Sequence, residues 1–231
     1  MSGNWVDISA SDEGTFSGYL ALPPMCKGPG IVLVQEIWGV NHHIRSVAEQ
    51  FALAGFVVLA PDVFWRQEHR VDLAYDEAGS ARARELRSGL EDAQAGADVA
   101  EAAGFLKARP ETEGQVAAVG YCLGGQLAYR AAAKSAVDAA VSYYGGGIAN
   151  NLDLADQVKV PILFHHAERD KMIPSDAVNQ IKQCFSSQAN AVFHDYPGAD
   201  HGFNCWGRPA YNQKASALAH GRTLAFLARN L

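Results

Sequence analysis

A cysteine, a histidine and two carboxylates in this chain are spaced as an acyl-transfer reaction would need them. Cys122 lies in Gly120-Tyr121-Cys122-Leu123-Gly124-Gly125. The apolar run Val116-Ala117-Ala118-Val119 before it reads as a buried strand, and Leu127 through Ala133 after it is rich in helix formers. The small residues two before and two after Cys122 permit a strand, sharp turn and helix that expose one side chain. A lone cysteine has a bland alternative, since cysteine is among the most buried residue types. Two downstream residues weigh against it. Asp170 follows the apolar Val160-Pro161-Ile162-Leu163-Phe164, and His201 stands in Pro197-Gly198-Ala199-Asp200-His201-Gly202-Phe203, after the strand-like Ala191 to Tyr196.

The chemistry implied is attack of sulfur on an acyl carbon. A thiol with an ordinary pKa of about 8.5 is only slightly ionised at neutral pH and needs a base or a positive field. His201 supplies both, and the start of the helix after the turn adds partial positive charge. Asp170 orients the ring; Glu168, Asp176 and Asp200 compete for that role but lie less well placed to turn toward the site. The backbone N–H groups of Leu123 and Ile37 are the expected oxyanion donors. Glu36, directly after the fully apolar Ile31-Val32-Leu33-Val34 and Gln35, is costly to bury unpaired. Either it turns to solvent at the strand end, or it points at Cys122 and helps activate the thiol.

These residues need a scaffold. The segment around Trp5 to Ala21 reads as a β-hairpin turning at Asp12-Glu13-Gly14. Asn41 caps a helix whose apolar positions Ile44, Val47, Ala48, Phe51 and Ala52 recur at helical spacing, ending near Gly55, and Phe56 to Ala60 is the next strand. Strand, helix and strand within about thirty residues make a βαβ unit and a parallel sheet. Residues 66–90, where Arg82, Arg84, Glu85 and Arg87 cluster, read as a loop and helix over the site. Residues 91–108 read as a helix, with another starting near Gln126-Leu127, then a strand at Ala139 to Tyr144 and helices over Asp176–Cys184 and Lys214–Leu227. Asp62, after Pro61, reads as a backbone cap.

With 231 residues, 48% of them hydrophobic and 19% charged, the chain fits one domain over 1–231 with a sizeable core. A net charge of −6 argues against nucleic acid or an anionic membrane as partner. Cys26, Cys122, Cys184 and Cys205 are too dispersed for a disulfide framework and read as reduced thiols. No leader pattern and no apolar run of bilayer length is present, so a cytoplasmic protein is expected, by default a monomer. His42-His43 and His165-His166 are adjacent pairs, which do not share a face of a strand or helix, so no metal is expected.

The order nucleophile, acid, histidine is that of the α/β-hydrolases. More narrowly, the chain resembles the dienelactone hydrolase (carboxymethylenebutenolidase) family. The resemblance rests on Gln35-Glu36-Ile37-Trp38-Gly39-Val40-Asn41, Ala60-Pro61-Asp62, Gly120 to Gly125, Tyr143-Tyr144-Gly145, Asp170 with Pro174, and Gly198 to Phe203. It implies an α/β-hydrolase fold: a mostly parallel central sheet, helices on both faces and an N-terminal antiparallel hairpin. It implies cofactor-free hydrolysis of a small carboxylated unsaturated lactone in aromatic-compound degradation, with Cys122, Asp170 and His201 as nucleophile, acid and base. In the family arrangement the thiol rests protonated against a glutamate, here Glu36, until substrate binding moves that carboxylate. The implied substrate-binding set is Arg82, Arg84, Trp38, Tyr144, Phe203 and Arg208. The family's second carboxylate-binding arginine falls on Cys205, with Arg208 three residues further on. An esterase or thioesterase for another small acyl substrate, or a non-catalytic binding protein, are the alternative readings.

Overall fold

The computed structural model describes residues 3–12 and 14–231. Met1, Ser2 and Glu13, the last expected in the turn, lie outside the described residues. Strands β1 (Asn4–Ser9) and β2 (Thr15–Ala21) pair antiparallel, with Trp5 opposite Tyr19 and Ile8 opposite Phe16. Strand β3 (Gly28–Val34), helix α1 (His42–Leu53) and strand β4 (Val57–Pro61) form the βαβ unit, and Asn41 caps α1 by accepting from the Ile44 N–H. There follow α2 (Glu77–Ser88), α3 (Asp92–Lys107), β5 (Thr112–Tyr121), α4 (Leu123–Ala133) and β6 (Ala139–Tyr143). Strand β7 (Ile162–Ala167), α5 (Ser175–Cys184), β8 (Ala191–Tyr196) and α6 (Gln213–Asn230) complete the order.

The strands form one sheet ordered β1-β2-β4-β3-β5-β6-β7-β8, antiparallel only where β2 meets β1 and β4. Alternate residues of the central strands join different cores. Ile31 and Leu33 cluster with α1 and α6, while Val32 and Val34 cluster with α3 and α4. Burial on both faces explains why these strands read as continuous apolar runs.

Helix α4 starts at Leu123, three residues before the expected start near Gln126. Gly124 and Gly125 both sit in the first helical turn, where the Gly124 N–H donates to the Gln35 carbonyl at 3.0 Å. Tertiary contact overrides their low helix propensity. From β3 the chain steps outward to β4, then returns to place β5 on the other side of β3. That reversal opens a crevice beyond the carboxyl ends of β3 and β5, the place where open α/β sheets bind ligands. Glu36 follows one strand and Cys122 the other.

Candidate active site

Cys122 is held at φ 54° and ψ −112°, a backbone state that L-residues avoid. Its N–H donates to the Tyr143 carbonyl at 3.0 Å, and its carbonyl accepts from Gly125 at 3.0 Å. The turn closes so tightly that a Cβ on Gly120 would lie 1.8 Å from the Gly124 carbonyl oxygen. The sulfur-bearing residue is 6% exposed at the floor of a cavity of about 500 Å³ lined by Ile37, Trp38, Arg84, Arg87, Leu123 and His201, among others.

Asp170 lies just beyond β7, and its two oxygens have separate tasks. Oδ1 accepts the Met172 and Ile173 N–H groups at 2.8 and 3.1 Å, closing the loop. Oδ2 meets His201 Nδ1 at 2.7 Å. The competing acids are engaged elsewhere: Glu168 accepts from the Gly198 N–H, Asp200 pairs with Arg169, and Asp176 is exposed on α5. His201 Nε2 is buried with no hydrogen-bond partner among the described residues, free for a proton from sulfur. Burial opposes a charged ring, but the Cys122 sulfur beside it and the Asp170 hydrogen bond outweigh burial, and the imidazole is pushed up to about 10. The Ile37 and Leu123 N–H groups have no acceptor among the described residues, and both residues line the cavity.

Glu36 is 1% exposed, so it does not turn to solvent. Its side-chain hydrogen bond runs to Arg208 rather than to Cys122: Oε1 accepts from Nη1 at 3.3 Å, while Oε2 is unpartnered. Burial raises its carboxyl above the ordinary range, with Arg208 and His201 opposing. Arg208 reaches this carboxylate across the Trp38 ring, 4.5 Å from guanidinium carbon to ring centroid. The loop thus delivers an arginine from a position three residues later than the resemblance implied. Cys205 is fully buried, its thiol pushed up to about 11 by burial and by Glu36.

Gly202 makes room for this reach. Its φ is +84°, and a Cβ there would lie 2.4 Å from Arg208 Nη1. Gly202→Ala should therefore cost about 1–3 kcal/mol from backbone conformation alone. At roughly 2–4 °C per kcal/mol for a chain of this size, thermal unfolding should show a lowered Tm; an unchanged Tm would mean the loop adapts freely.

The other expected binding residues divide. Trp38, Arg84 and Arg208 line the cavity. Arg82 does not: it pairs with Glu68 and Glu85 at 2.7 Å each. Tyr144 and Phe203 are fully buried, Tyr144 standing 5.1 Å from the His201 ring and Phe203 packing behind it at 5.3 Å. They support the histidine rather than line the cavity. Lining residues that were not expected include Arg87 and Gln126. The buried positions of α2 are Gly79, Ala83 and Leu86, and Arg82 and Arg87 flank that face at about equal angles, so helical phase does not choose between them. Gln126 entered the cavity when α4 began early.

Among the described residues no cluster of three or more His, Cys, Asp or Glu side chains has metal-binding geometry. His43 packs on Trp206 at 4.1 Å, and His165 bonds Tyr196 Oη and Thr223 Oγ1. The Asp62 carboxylate accepts from the Phe64 and Arg70 N–H groups, as a backbone cap. No helix among the described residues is long and apolar enough to cross a membrane.

The model of the dienelactone hydrolase family matches residues 16–231. The chain is 34% identical to carboxymethylenebutenolidase 1 of Cupriavidus pinatubonensis over 99% of this chain and 97% of that one. It is 36% identical to the carboxymethylenebutenolidase of Pseudomonas putida over 96% and 95%. A crystal structure described as a putative dienelactone hydrolase from Klebsiella pneumoniae superposes with a TM-score of 0.86, 28% identity and 99% coverage of each chain.

Proposed function

From the premise that this chain belongs to the dienelactone hydrolase family, a hydrolase of lactone and ester bonds, we propose that it opens a small carboxylated unsaturated lactone through a thioester on Cys122. The observation that carries this reading is the hydrogen bond of Asp170 to His201 Nδ1 with Nε2 left free beside Cys122. The sulfur adds to the lactone carbonyl carbon, and its proton passes to His201 Nε2. The oxyanion takes the Ile37 and Leu123 N–H groups, the ring C–O bond breaks, and the protonated His201 returns the proton to the departing oxygen. Water, deprotonated by His201, then cleaves the thioester and restores the thiol.

Glu36 is a second proton acceptor in this scheme. Burial makes its carboxyl a stronger base than an exposed one, and an anion that captures Arg208 would free its Oε1. Arg208 and Arg84 give the cavity positive charge for the substrate carboxylate. The domain is proposed to be the whole of 1–231, acting as a monomer in the cytoplasm on a product of aromatic-ring breakdown.

The test is the rate of ring opening of a carboxylated dienelactone, read as loss of its ultraviolet absorbance, beside that of 4-nitrophenyl acetate. The expected result is a kcat/KM at least about a hundredfold higher for the lactone, the ratio that two well-placed charged contacts give. Comparable rates on both would remove the lactone and leave a cysteine esterase for some other acyl group.

A further inference from the structure

One carboxylate at the cavity edge binds two of its walls together. Asp92 is the first residue of α3. Its Oδ2 accepts from Arg87 Nη2 at 3.2 Å, in the last turn of α2, and from Gln126 Nε2 at 2.8 Å, in the first turn of α4, while Oδ1 lies 3.0 Å from the same Nη2 without a hydrogen bond. Arg87 and Gln126 both line the cavity that holds Cys122. Gln126 is only 2% exposed, so its carboxamide is held in place. Because Nε2 is engaged by Asp92, the amide cannot turn over without loss, and the whole carboxamide lies against Gly147, its atoms 3.3–3.4 Å from where a Cβ there would lie. Arg84, one turn before Arg87 on α2, has no carboxylate within 4.0 Å among the described residues. The α2–α4 wall therefore presents two guanidinium groups beside a fixed carboxamide.

We propose that Asp92 is a positioning residue for substrate selection, which by holding Arg87 and Gln126 makes the α2–α4 wall a subsite for the anionic end of an acyl substrate. The inference rests on the proposed hydrolysis at Cys122 and names which wall reads the charge. An unanchored arginine in the last turn of a half-exposed helix would sample many rotamers, and ordering it on binding costs affinity. Asp92 removes that cost beforehand. Its place at the start of α3 also suits a carboxylate by the helix dipole, which is a structural role that the test must separate.

The subsite is read with two aryl esters that differ only in a carboxylate, mono(4-nitrophenyl) succinate and 4-nitrophenyl acetate, on the parent chain, Asp92→Asn, Arg87→Met and the double variant. Asp92→Asn is expected to lower kcat/KM for the succinate about tenfold more than for the acetate, chiefly through KM. The double variant should discriminate no worse than Arg87→Met, since Asp92 acts through that residue. Equal losses on both esters, or additive losses in the double variant, would overturn the proposal in favour of a helix-anchoring role. A second measurement needs no turnover. Glutarate binding to Cys122→Ala, followed by calorimetry, should weaken about tenfold when Asp92→Asn is added. An unchanged Kd sinks the subsite while leaving the lactone reading to its own assay.

Discussion

Asp170→Asn should lower kcat/KM by about a thousand- to ten-thousand-fold with little change in KM, the loss that follows when the histidine of such a set takes the wrong tautomer. The size of the effect follows from how the two oxygens are divided. Oδ1 accepts two backbone N–H groups, from Met172 and Ile173. An asparagine keeps its one oxygen there, because turning the amide would set its NH2 against two donors. Its NH2 then faces His201 Nδ1 and donates to it, so the ring proton moves to Nε2, the atom that must receive the proton of the thiol. The loop stays closed and the base is lost. The pH profile offers an independent reading. His201 is held up to about 10 by Cys122 and Asp170 against the effect of burial, so the parent activity should persist above the ordinary imidazole range and fall as pH approaches 10, when the ring no longer carries a proton for the leaving oxygen. With the Asp170 charge removed, that alkaline limb should move to lower pH. Activity near that of the parent, with the limb unmoved, would mean that another group orients the ring.

Cys122→Ala should abolish ester and lactone turnover, by about ten-thousand-fold or more in kcat, while leaving the Tm nearly unchanged. The residue sits at φ 54°, where alanine and cysteine bear the same backbone strain, and the turn is closed by main-chain bonds to Tyr143, Gly125 and Gln126 that do not involve sulfur. The deletion therefore removes chemistry and little else. The residual rate measures what the oxyanion donors and cavity do alone. Turnover at the parent rate would transfer the nucleophile elsewhere. Cys205 is ill suited to that part, since burial and the Glu36 carboxylate push its thiol up to about 11 and leave almost no thiolate at neutral pH.

Much of this molecule was determined by local sequence. Apolar runs such as Ile31–Val34 and Val116–Val119 are buried on both faces, as strands of a parallel sheet covered by helices are. Asn41 caps α1 through a side chain three residues from its donor, and Gly120 closes the Cys122 turn within a few residues. Contacts so local leave their mark in residue order and spacing. The pairing of Asp170 with His201 spans 31 residues, yet it was legible because each follows its own strand and the two strands lie side by side.

What only the tertiary structure decided are side-chain directions between segments with no common period. Arg208 and Glu36 are 172 residues apart, and their contact depends on a loop path opened by Gly202 and on the Trp38 face, neither of which has a spacing rule. Likewise, Arg87 lines the cavity and Arg82 does not, although both flank the buried face of α2 at about equal angles, and the anchoring of Arg87 depends on where α3 and α4 begin. Residue types mark where the proposed bond-making groups lie, because those residues sit at strand ends and tight turns. The proposed substrate-selecting side chains are long and flexible, and their partners are fixed by packing.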